Sequence, residues 1–299
     1  MPHENKVVVT AALSGVLANR NQCPHIPYTP VEIAEEAKRA YDAGASVVHI
    51  HARTDDGAPT FEPDTFARIK EEIRKRCPVI LNWSTGTIED DTSKQEAYIT
   101  REDCRPDIAA LNMGTMNYSK YSPKRKDFVF DMVFPNTYSK IIRLLRAMVA
   151  AGVKPELECF DSGHTNGIGP LMDMGLLRPP LQFSFIVNVL GGIPPTVEAV
   201  QFQRSLVPPG SQWEVIGISH CQWQMEAASL ILGGNVRVGL EDHFYLPDGT
   251  MAKSNGELVA KVVELCRLVG REPATVEEAR KILALDEHAR SRTAVGAAS

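Results

Sequence analysis

Eight apolar, β-branched segments, each followed by an amphipathic stretch or a long insertion, predict an α/β protein with a parallel sheet. Eight such units within 299 residues predict that the sheet closes into a (β/α)8 barrel, the TIM-barrel architecture. Polar side chains recur where the predicted strands end, and such barrels carry their sites at that end. A doubly wound open sheet is the alternative, but residues 11–15 make a poor glycine-rich phosphate turn.

Each element is predicted from apolar periodicity and from helix-capping residues. At the first helix, Thr29 suits the N-cap and Glu32 completes a capping box. Pro30 suits the first helical position, and Gly44 suits the C-terminal cap. The predicted strands cover residues 6–12, 45–53, 78–83, 107–112, 154–160, 181–188, 213–218 and 235–240. The predicted helices cover residues 29–44, 64–76, 94–104, 137–151, 169–174, 196–206, 222–232, 253–269 and 275–284.

The chain is expected to form one barrel domain over residues 1–299. An irregular insertion is predicted at about residues 118–134, as an extra hairpin or as a loop over the site. A C-terminal helical extension is predicted at about residues 271–299. No long linker, low-complexity tract or short repeat divides the chain, and we therefore expect no second domain.

Composition excludes several classes of function. The formal net charge is −5 with acids and bases interspersed, which leaves no basic surface for nucleic acid and no polybasic membrane patch. No apolar run approaches the roughly 20 residues of a membrane span, and residues 1–6 lack the layout of a signal peptide. The six cysteines are scattered, as in reduced cytoplasmic proteins. We therefore expect a cytoplasmic protein with small-molecule partners.

The second predicted strand ends in two histidines. Alternate side chains of a strand share one face, so His49 and His51 lie on the same face with Val47. Two imidazoles at this spacing are well placed to bind one divalent metal ion. The alternative is that one histidine is a satisfied core residue and the other lies in a loop.

A catalytic zinc site usually has three protein ligands and one open position. Glu241 is the best third ligand, because the eighth strand lies two positions from the second around a closed barrel. Arg237 has the same parity as Glu241 and needs a partner if it is buried, whereas Asp242 points differently unless the strand has already turned. The alternatives are a solvated capping pair for Glu241 and Asp242 and a rim ion pair for Arg237.

Other polar residues near strand ends have less specific signals. Glu156 and Glu158 share one face of the fifth strand and face either solvent or the barrel axis. Ser84 follows the third strand, but no histidine lies two or three residues away, so a serine-triad interpretation is weak. His220 and His243 follow the last two strands and are interpreted as ordinary rim residues.

Six stretches of the chain carry a combination of motifs with a known counterpart. They are TAALSG (residues 10–15), VHIHAR (48–53), NWSTG (82–86), PELE followed by FD (155–158 and 160–161), GGIP (191–194) and GNVRVGLED (234–242). Together they resemble the β-keto acid cleavage enzyme family, over roughly residues 5–270. Each motif alone is weak, whereas the combination is specific.

The resemblance implies a (β/α)8 barrel with one zinc ion, usually assembled as a homotetramer. The family converts a β-keto acid and acetyl-CoA into acetoacetate and a new acyl-CoA. By motif, His49, His51 and Glu241 are the implied zinc ligands, and Asp242 and Arg237 are an implied catalytic acid/base pair. In this reaction zinc polarises the substrate carbonyl, and Asp242 is the candidate base.

The resemblance also implies a set of substrate-binding residues. The residues of this set are Ser84, Asn112, Thr115, Glu156, Glu158, Gly191 and Gly192. Asn112 and Thr115 are alternatives for the family's threonine after the fourth strand, and Glu156 and Glu158 are alternatives for its substrate-contacting glutamate. The family's type member has an acid in the loop after the first strand, but residues 15–19 contain none. This departure favours a neutral or anionic substrate over an aminated one.

Anionic CoA requires cations, and the predicted insertion supplies a candidate patch. Its residues are Lys120, Lys124, Arg125 and Lys126, for which a solvated charge run is the alternative. A zinc-dependent aldolase or hydrolase acting without CoA is the alternative enzyme class, because it uses the same ligands. A metal-binding or CoA-binding regulator on a decayed barrel is the non-enzymatic alternative.

Overall fold

The computed structural model describes residues 5–289, and eight of its strands close into a parallel barrel. The barrel fold predicted from the alternation of segments is therefore confirmed. Predictions for residues 1–4 and 290–299, which include the end of the C-terminal extension, lie outside the described residues. Within residues 5–289, no helix combines the length and the apolar character needed to cross a membrane.

The strands include the eight of the barrel and four in smaller sheets. In chain order they are β1 (Lys6–Val7), β2 (Val9–Ala12), β3 (Val47–Ile50), β4 (Ile80–Trp83), β5 (Ile108–Asn112), β6 (Met116–Ser122), β7 (Asp127–Phe134), β8 (Lys154–Cys159), β9 (Gln182–Val187), β10 (Gln212–Gly217), β11 (Asn235–Val238) and β12 (Glu272–Pro273). Around the barrel the order is β2, β3, β4, β5, β8, β9, β10 and β11, and β11 pairs with β2. The strands β3, which contains His49, and β11, which precedes Glu241, therefore flank β2, as the predicted ligand positions require.

The helices connect the barrel strands and cover the outside of the barrel. They are α1 (Pro30–Ala43), α2 (Pro63–Arg74), α3 (Ser93–Thr100), α4 (Tyr138–Ala151), α5 (Ser162–Asn166), α6 (Gly169–Asp173), α7 (Val197–Ser205), α8 (Gln222–Ile231), α9 (Asn255–Leu268) and α10 (Val276–Ile282). The predicted capping box at Thr29 and Glu32 is present. Gly44 ends α1 with a φ of 116°, a conformation that favours glycine.

The first predicted strand, residues 6–12, is divided in the structure. Lys6 and Val7 pair with β12, whereas β2 pairs with β3 and β11. At the break, Val8 N donates to Asn235 Oδ1 over 2.9 Å, so a side chain satisfies the backbone where the ladder is interrupted. β12 has two residues and ends in Pro273, and so short a segment has no periodicity that predicts it.

The predicted insertion is an antiparallel hairpin formed by β6 and β7. It extends from residue 116 to residue 134, close to the predicted bounds, and it stands beside the carboxyl ends of the barrel strands. Ser119 Oγ donates to Asp131 Oδ1 across the hairpin over 2.5 Å. The base of the hairpin is closed by a hydrogen bond between the residue before β6 and the segment after β7, because Asn136 N donates to Thr115 Oγ1 over 2.8 Å.

The amino end of the barrel is closed by apolar side chains. Val8, Val47, Ile80 and Ile108 form one buried cluster with Leu283, at the end of α10, and with neighbouring residues. We call this cluster the bottom layer. It fills the centre of the barrel at that end with apolar side chains.

A polar layer lies above the bottom layer inside the barrel. Ser184 Oγ donates to Glu156 Oε1 over 2.7 Å, and Thr10 Oγ1 donates to Glu214 Oε2 over 3.0 Å. Asn82 Nδ2 also donates to Glu156. Burial, reinforced by the charge of Glu156, raises the pKa of Glu214 well above its ordinary value. Hydrogen bonding thus makes the burial of these carboxyl groups tolerable.

Candidate active site

A cavity of about 470 Å³ opens at the carboxyl ends of the barrel strands. Its floor holds the charged side chains of β3, β8 and β11 or of the turns that follow them. Its walls come from the β6–β7 hairpin, from β9 and β10, and from the loops after β2 and β4. The predicted polar clusters therefore converge here, as the shared direction of parallel strands requires.

Two histidines and a glutamate meet at the floor of the cavity. Glu241 Oε1 lies 3.6 Å from His49 Nε2 and 3.3 Å from His51 Nε2. Ligands about 2.0–2.1 Å from a tetrahedral zinc ion lie roughly 3.3 Å from one another, so these separations suit such an ion. Burial, together with the charge of Arg237, holds the pKa of His49 well below its ordinary value. A neutral imidazole has the lone pair that a metal ion needs.

The turn after β11 brings Glu241 to the histidines. Glu241 N donates to Ala12 O over 3.2 Å, and a Cβ on Gly239 would meet the same oxygen at 2.0 Å. Only glycine therefore allows so close an approach to β2. Gly15 N, from the loop after β2, donates to Glu241 Oε2 over 3.2 Å. β2 and the loop after it thus hold Glu241 through its backbone N–H and through one carboxylate oxygen.

Arg237 organises the acids of the floor. Its Nε and Nη2 donate to the two carboxylate oxygens of Asp242 over 2.9 and 3.0 Å, and Nη2 also donates to Glu241 Oε1 over 2.8 Å. Its Nη1 lies 3.8 Å from Glu158 Oε1. Arg237 and Asp242 are 2% and 5% exposed, so Asp242 is not part of a solvated capping pair, and the ion pair that Arg237 forms is buried. A bidentate pair of this kind fixes both side chains.

The carboxyl groups of the floor differ in their affinity for protons. Burial raises the pKa of Asp242 to about 6, against the lowering effect of Arg237. Burial and the charge of Glu156 raise the pKa of Glu158 to about 8. Burial alone would also raise the pKa of Glu241, but the histidines and Arg237 hold it well below its ordinary value. Asp242 is therefore the carboxylate whose proton affinity suits exchange near neutral pH.

Within residues 5–289, two groups of side chains have metal-binding types and spacing. One is His49, His51 and Glu241, and the other is His49, Glu156 and Glu158. Both oxygens of Glu156 already accept hydrogen bonds, from Asn82 and from Ser184. The first group is the better candidate, because His51 and Glu241 both line the cavity, whereas Glu156 is fully buried beneath it.

The structure brings several of the remaining predicted residues to the cavity. Ser84 lies at the end of β4, Asn112 at the end of β5 and Glu158 near the end of β8, and all three line it. An added Cβ on Gly86 would lie 3.4 Å from Asn112 Nδ2 and 3.7 Å from Ser84 Oγ. The two polar groups therefore lie beside the same short segment of the rim.

Other predicted substrate-binding residues do not line the cavity. Thr115 is exposed, and its Oγ1 accepts from Asn136 N at the hairpin base, so Asn112 is the member of that pair at the cavity. Glu156 lies below the floor in the polar layer, fully buried. A Cβ on Gly191 would meet Asn117 O at 2.0 Å and one on Gly192 would meet Phe160 O at 2.5 Å. The two glycines thus allow backbone segments to pack closely beside the hairpin.

Sequence reasoning missed Arg53, which holds the loop after β2. Its Nε donates to Gly15 O over 2.8 Å, and its Nη2 donates to Ser14 O over 3.1 Å and to Ala18 O over 2.7 Å. The same loop supplies the Gly15 N–H that reaches Glu241. Arg53 follows His51 by two residues, so the alternation that predicted the histidines could have identified it.

The aromatic side of the cavity was also missed. Tyr118 and Phe134 from the hairpin and Phe160 after β8 line the cavity, and their ring centroids are 5.9 to 6.2 Å apart. No sequence pattern connects these three positions, because the contact depends on how the hairpin folds over the barrel. The basic residues of the hairpin, Lys120, Lys124, Arg125 and Lys126, are exposed and do not line the cavity.

The chain matches known proteins along nearly its whole length. A family model described as beta-keto acid cleavage enzyme matches residues 6–285. The 3-keto-5-aminohexanoate cleavage enzyme of Fusobacterium nucleatum is 39% identical over 281 residues, covering 94% of this chain and 98% of that protein. The 3-oxoadipate:acetyl-CoA acetyltransferase of Cupriavidus necator is 34% identical over 283 residues, covering 93% of this chain and 94% of that protein.

A solved structure shares the barrel. The ternary complex of ObcA with a C4-CoA adduct and oxalate is similar with a TM-score of 0.73, over 87% of this chain and 68% of that chain. The two sequences are 21% identical, so this likeness concerns the fold alone.

Proposed function

The chain belongs to the β-keto acid cleavage enzyme family, and from this premise we propose that it converts a β-keto acid and acetyl-CoA into acetoacetate and a new acyl-CoA. The observation that carries this proposal is the Arg237–Asp242 pair beside His49, His51 and Glu241 at the cavity floor. Relatives named as a cleavage enzyme and as an acetyl-CoA acetyltransferase support it. Their substrates differ beyond the keto carbon, whereas the β-keto acid portion is common.

We propose that His49, His51 and Glu241 hold one zinc ion. Two neutral nitrogens, one carboxylate and an open side toward the cavity are the donor set of a catalytic zinc site. When bound, the ion would supply Lewis-acid polarisation of the substrate's oxygens. The short contact between Arg237 and Glu241 would orient the carboxylate in the manner of an outer-shell partner.

Asp242 is proposed as the base that removes the proton from C2 of the β-keto acid. Its contact with Arg237 fixes its position, and a pKa of about 6 leaves it ionised at neutral pH yet able to hold a proton. The resulting enolate attacks the thioester carbon of acetyl-CoA, and CoA leaves as the thiolate. The thiolate then attacks C3, the C2–C3 bond breaks, and protonated Asp242 returns the proton to C2 of acetoacetate.

Ser84 and Asn112 are proposed to donate hydrogen bonds to the oxygens that gain charge during these steps. Both line the cavity, and preorganised donors in a water-poor site stabilise developing oxyanions strongly. Glu158 is proposed as a further substrate contact, because it reaches the cavity with its carboxyl group 3.8 Å from Arg237 Nη1. The exposed basic residues of the hairpin are proposed to contact the phosphates of CoA from outside the cavity.

The remaining proposals concern assembly and location. We propose a single barrel domain over the whole chain that assembles as a homotetramer, and the exposed apolar side chains of β7, Phe128, Val129 and Val133, support an interface there. A cytoplasmic location is proposed because all six cysteines are unpaired and buried, as in a reducing compartment.

The test of the proposed function is a product assay with the purified, zinc-loaded protein. A β-keto acid is supplied with acetyl-CoA labelled in the acetyl group, and label is expected in acetoacetate together with a new acyl-CoA. A parallel reaction omits acetyl-CoA, and cleavage there would favour the aldolase or hydrolase alternative. Absence of labelled acetoacetate across a panel of β-keto acids, with metal content confirmed, would overturn the proposal.

A further inference from the structure

We propose that the site selects β-keto acids whose group beyond the keto carbon is uncharged and apolar, such as a short alkyl chain. The inference rests on the proposed function and names its substrate class. It follows from the division of the cavity into a charged floor and an uncharged remainder. The floor engages the part of the substrate that reacts, so the remainder contacts the part that distinguishes one β-keto acid from another.

The uncharged remainder is built around an apolar wall, which we define as Tyr118, Phe134, Phe160, Ile186 and Ile216. All five line the cavity and belong to one cluster of packed apolar side chains. Phe160, Ile186 and Ile216 are at most 5% exposed. A substrate group that reaches this wall leaves water without gaining a polar partner, and that transfer favours apolar groups only.

The aromatic part of the wall is packed rather than open. Tyr118, Phe134 and Phe160 contact one another edge to face, with interplanar angles of 78°, 79° and 87°. Rings at these distances touch, so no ammonium ion fits among them in the manner of an aromatic cage. The wall therefore presents packed apolar ring edges and faces, which suit a methylene chain.

Among the described residues that line the cavity, no lysine or arginine belongs to the apolar wall, and the one free donor group, Arg237 Nη1, lies at the floor. Arg237 is the only lysine or arginine among the described residues that line the cavity. Its Nε and Nη2 are committed to Asp242 and Glu241, and its Nη1 lies 3.8 Å from Glu158 at the floor. A carboxylate at the apolar wall would therefore be buried without a partner, which is strongly unfavourable.

Among the described residues that line the cavity, no carboxylate belongs to the apolar wall, and the one acid away from the charged floor, Glu89, is exposed to water. The acids that line the cavity are Glu89, Glu158, Glu241 and Asp242. Glu89 is exposed and lies on the loop after β4, while the other three surround Arg237. The loop after β2 contributes Val16 and Leu17 to the lining, both uncharged. An ammonium group at the wall would thus lose its hydration without an ion pair.

The experiment compares three six-carbon β-keto acids of similar size: 3-oxohexanoate, 3-oxo-5-aminohexanoate and 3-oxoadipate. We expect kcat/KM for 3-oxohexanoate to exceed that for each charged analogue at least 100-fold, because the charged groups meet no partner. We also expect 3-oxopentanoate to be about fourfold poorer than 3-oxohexanoate, the effect of one buried methylene. Equal or better turnover of a charged analogue would overturn this inference alone, whereas no turnover of any compound would overturn the proposed function with it.

Variants of Met132 test whether the wall is where the distinguishing group lies. Met132 lines the cavity, pairs with Tyr118 across the hairpin and is only half-buried, so a charge there stays partly hydrated and the fold is preserved. Met132→Lys is expected to raise the ratio of kcat/KM for 3-oxoadipate to that for 3-oxohexanoate at least tenfold over Met132→Leu. Met132→Glu is expected to do the same for 3-oxo-5-aminohexanoate. Unchanged ratios in folded variants, as judged by circular dichroism, would overturn the placement.

Discussion

The two ends of the barrel use the same strands in opposite ways. At the amino end, Val47 and Ile80 pack in the bottom layer with Leu283. At the carboxyl end, His49 is the next inward position of β3, and His51 follows the end of that strand. Both face Glu241 across the cavity floor. A shift of two residues along a strand moves a side chain one layer up the barrel. The structure thus separates stability from chemistry by layer rather than by element.

The polar layer connects these two ends. It places Glu156 and Glu214 directly beneath the site, where hydrogen bonds from Ser184 and Thr10 satisfy them. Burial raises the pKa values of Glu214 and Glu158, and the charge of Glu156 adds to both increases. The chemistry of the floor therefore depends on groups that never reach the cavity.

The largest expected effect falls on the carboxyl end. Asp242→Asn should lower kcat about 1,000-fold, because the amide keeps the shape of the side chain but cannot accept the C2 proton. Steady-state assays of acetoacetate formation measure the loss, and circular dichroism checks that the variant is folded, because an amide offers Arg237 one acceptor in place of two and lowers the melting temperature. More than a tenth of wild-type activity would rule out Asp242 as the base.

The next largest effect is expected on the metal content of the site at the carboxyl end. His51→Ala should reduce bound zinc at least tenfold, since it removes one of three ligands from the proposed site. Elemental analysis after dialysis measures occupancy. The matched control is His220→Ala, which removes an exposed rim histidine and should leave the metal content unchanged. Stoichiometric zinc in the His51 variant would refute the ligand assignment.

A substitution at the amino end should lower the stability of the fold and leave the activity unchanged. Leu283→Ala should lower the free energy of unfolding by about 2–3 kcal/mol, because Leu283 is buried in the bottom layer and its loss leaves a cavity. Kinetic constants of the folded fraction should stay unchanged. Leu268→Ala is the matched control, since Leu268 is 83% exposed, and urea titration measures both. An equal effect of the two substitutions would contradict the closed bottom layer.

The smallest expected effect is a pH dependence at the same end. Burial lowers the pKa of Lys154 from 10.5 to about 8, so between these values the unfolded chain holds a proton that the folded chain has released. The contribution of Lys154 to the free energy of unfolding therefore rises with pH across that interval. Relative to that of Lys154→Met, the free energy of unfolding of the wild type should increase by on the order of 2 kcal/mol between pH 7 and pH 10. A constant difference in the urea midpoints of the two proteins would contradict the shift.

The comparison of the two ends also shows what local patterns could predict. The predicted strands that carry His49, His51 and Glu241 are present, and their side chains meet because alternation and the direction of parallel strands determine both face and end. The family membership predicted from the combined motifs is confirmed over residues 6–285. Patterns of this kind are local, or depend only on a regular barrel.

The residues that patterns misplaced all depend on distances between segments remote in sequence. Glu156 shares a face with Glu158, but only the height of the polar layer shows that Asn82 and Ser184 engage it. Thr115 follows a strand end, yet the hairpin base takes its hydroxyl. Alternation gives the face of a side chain and not its depth in the barrel, so these positions could not be told from cavity residues.

The sequence by itself determined the barrel, the family and the two-histidine, one-glutamate combination, because these follow from periodicity and from motifs within single segments. Only the tertiary structure decided which carboxyl groups face the cavity, how Arg237 is divided among them, and that an apolar wall stands opposite the charged floor. The physical reason is that burial and pairing set the charge of each group. Both depend on neighbours that lie far away along the chain.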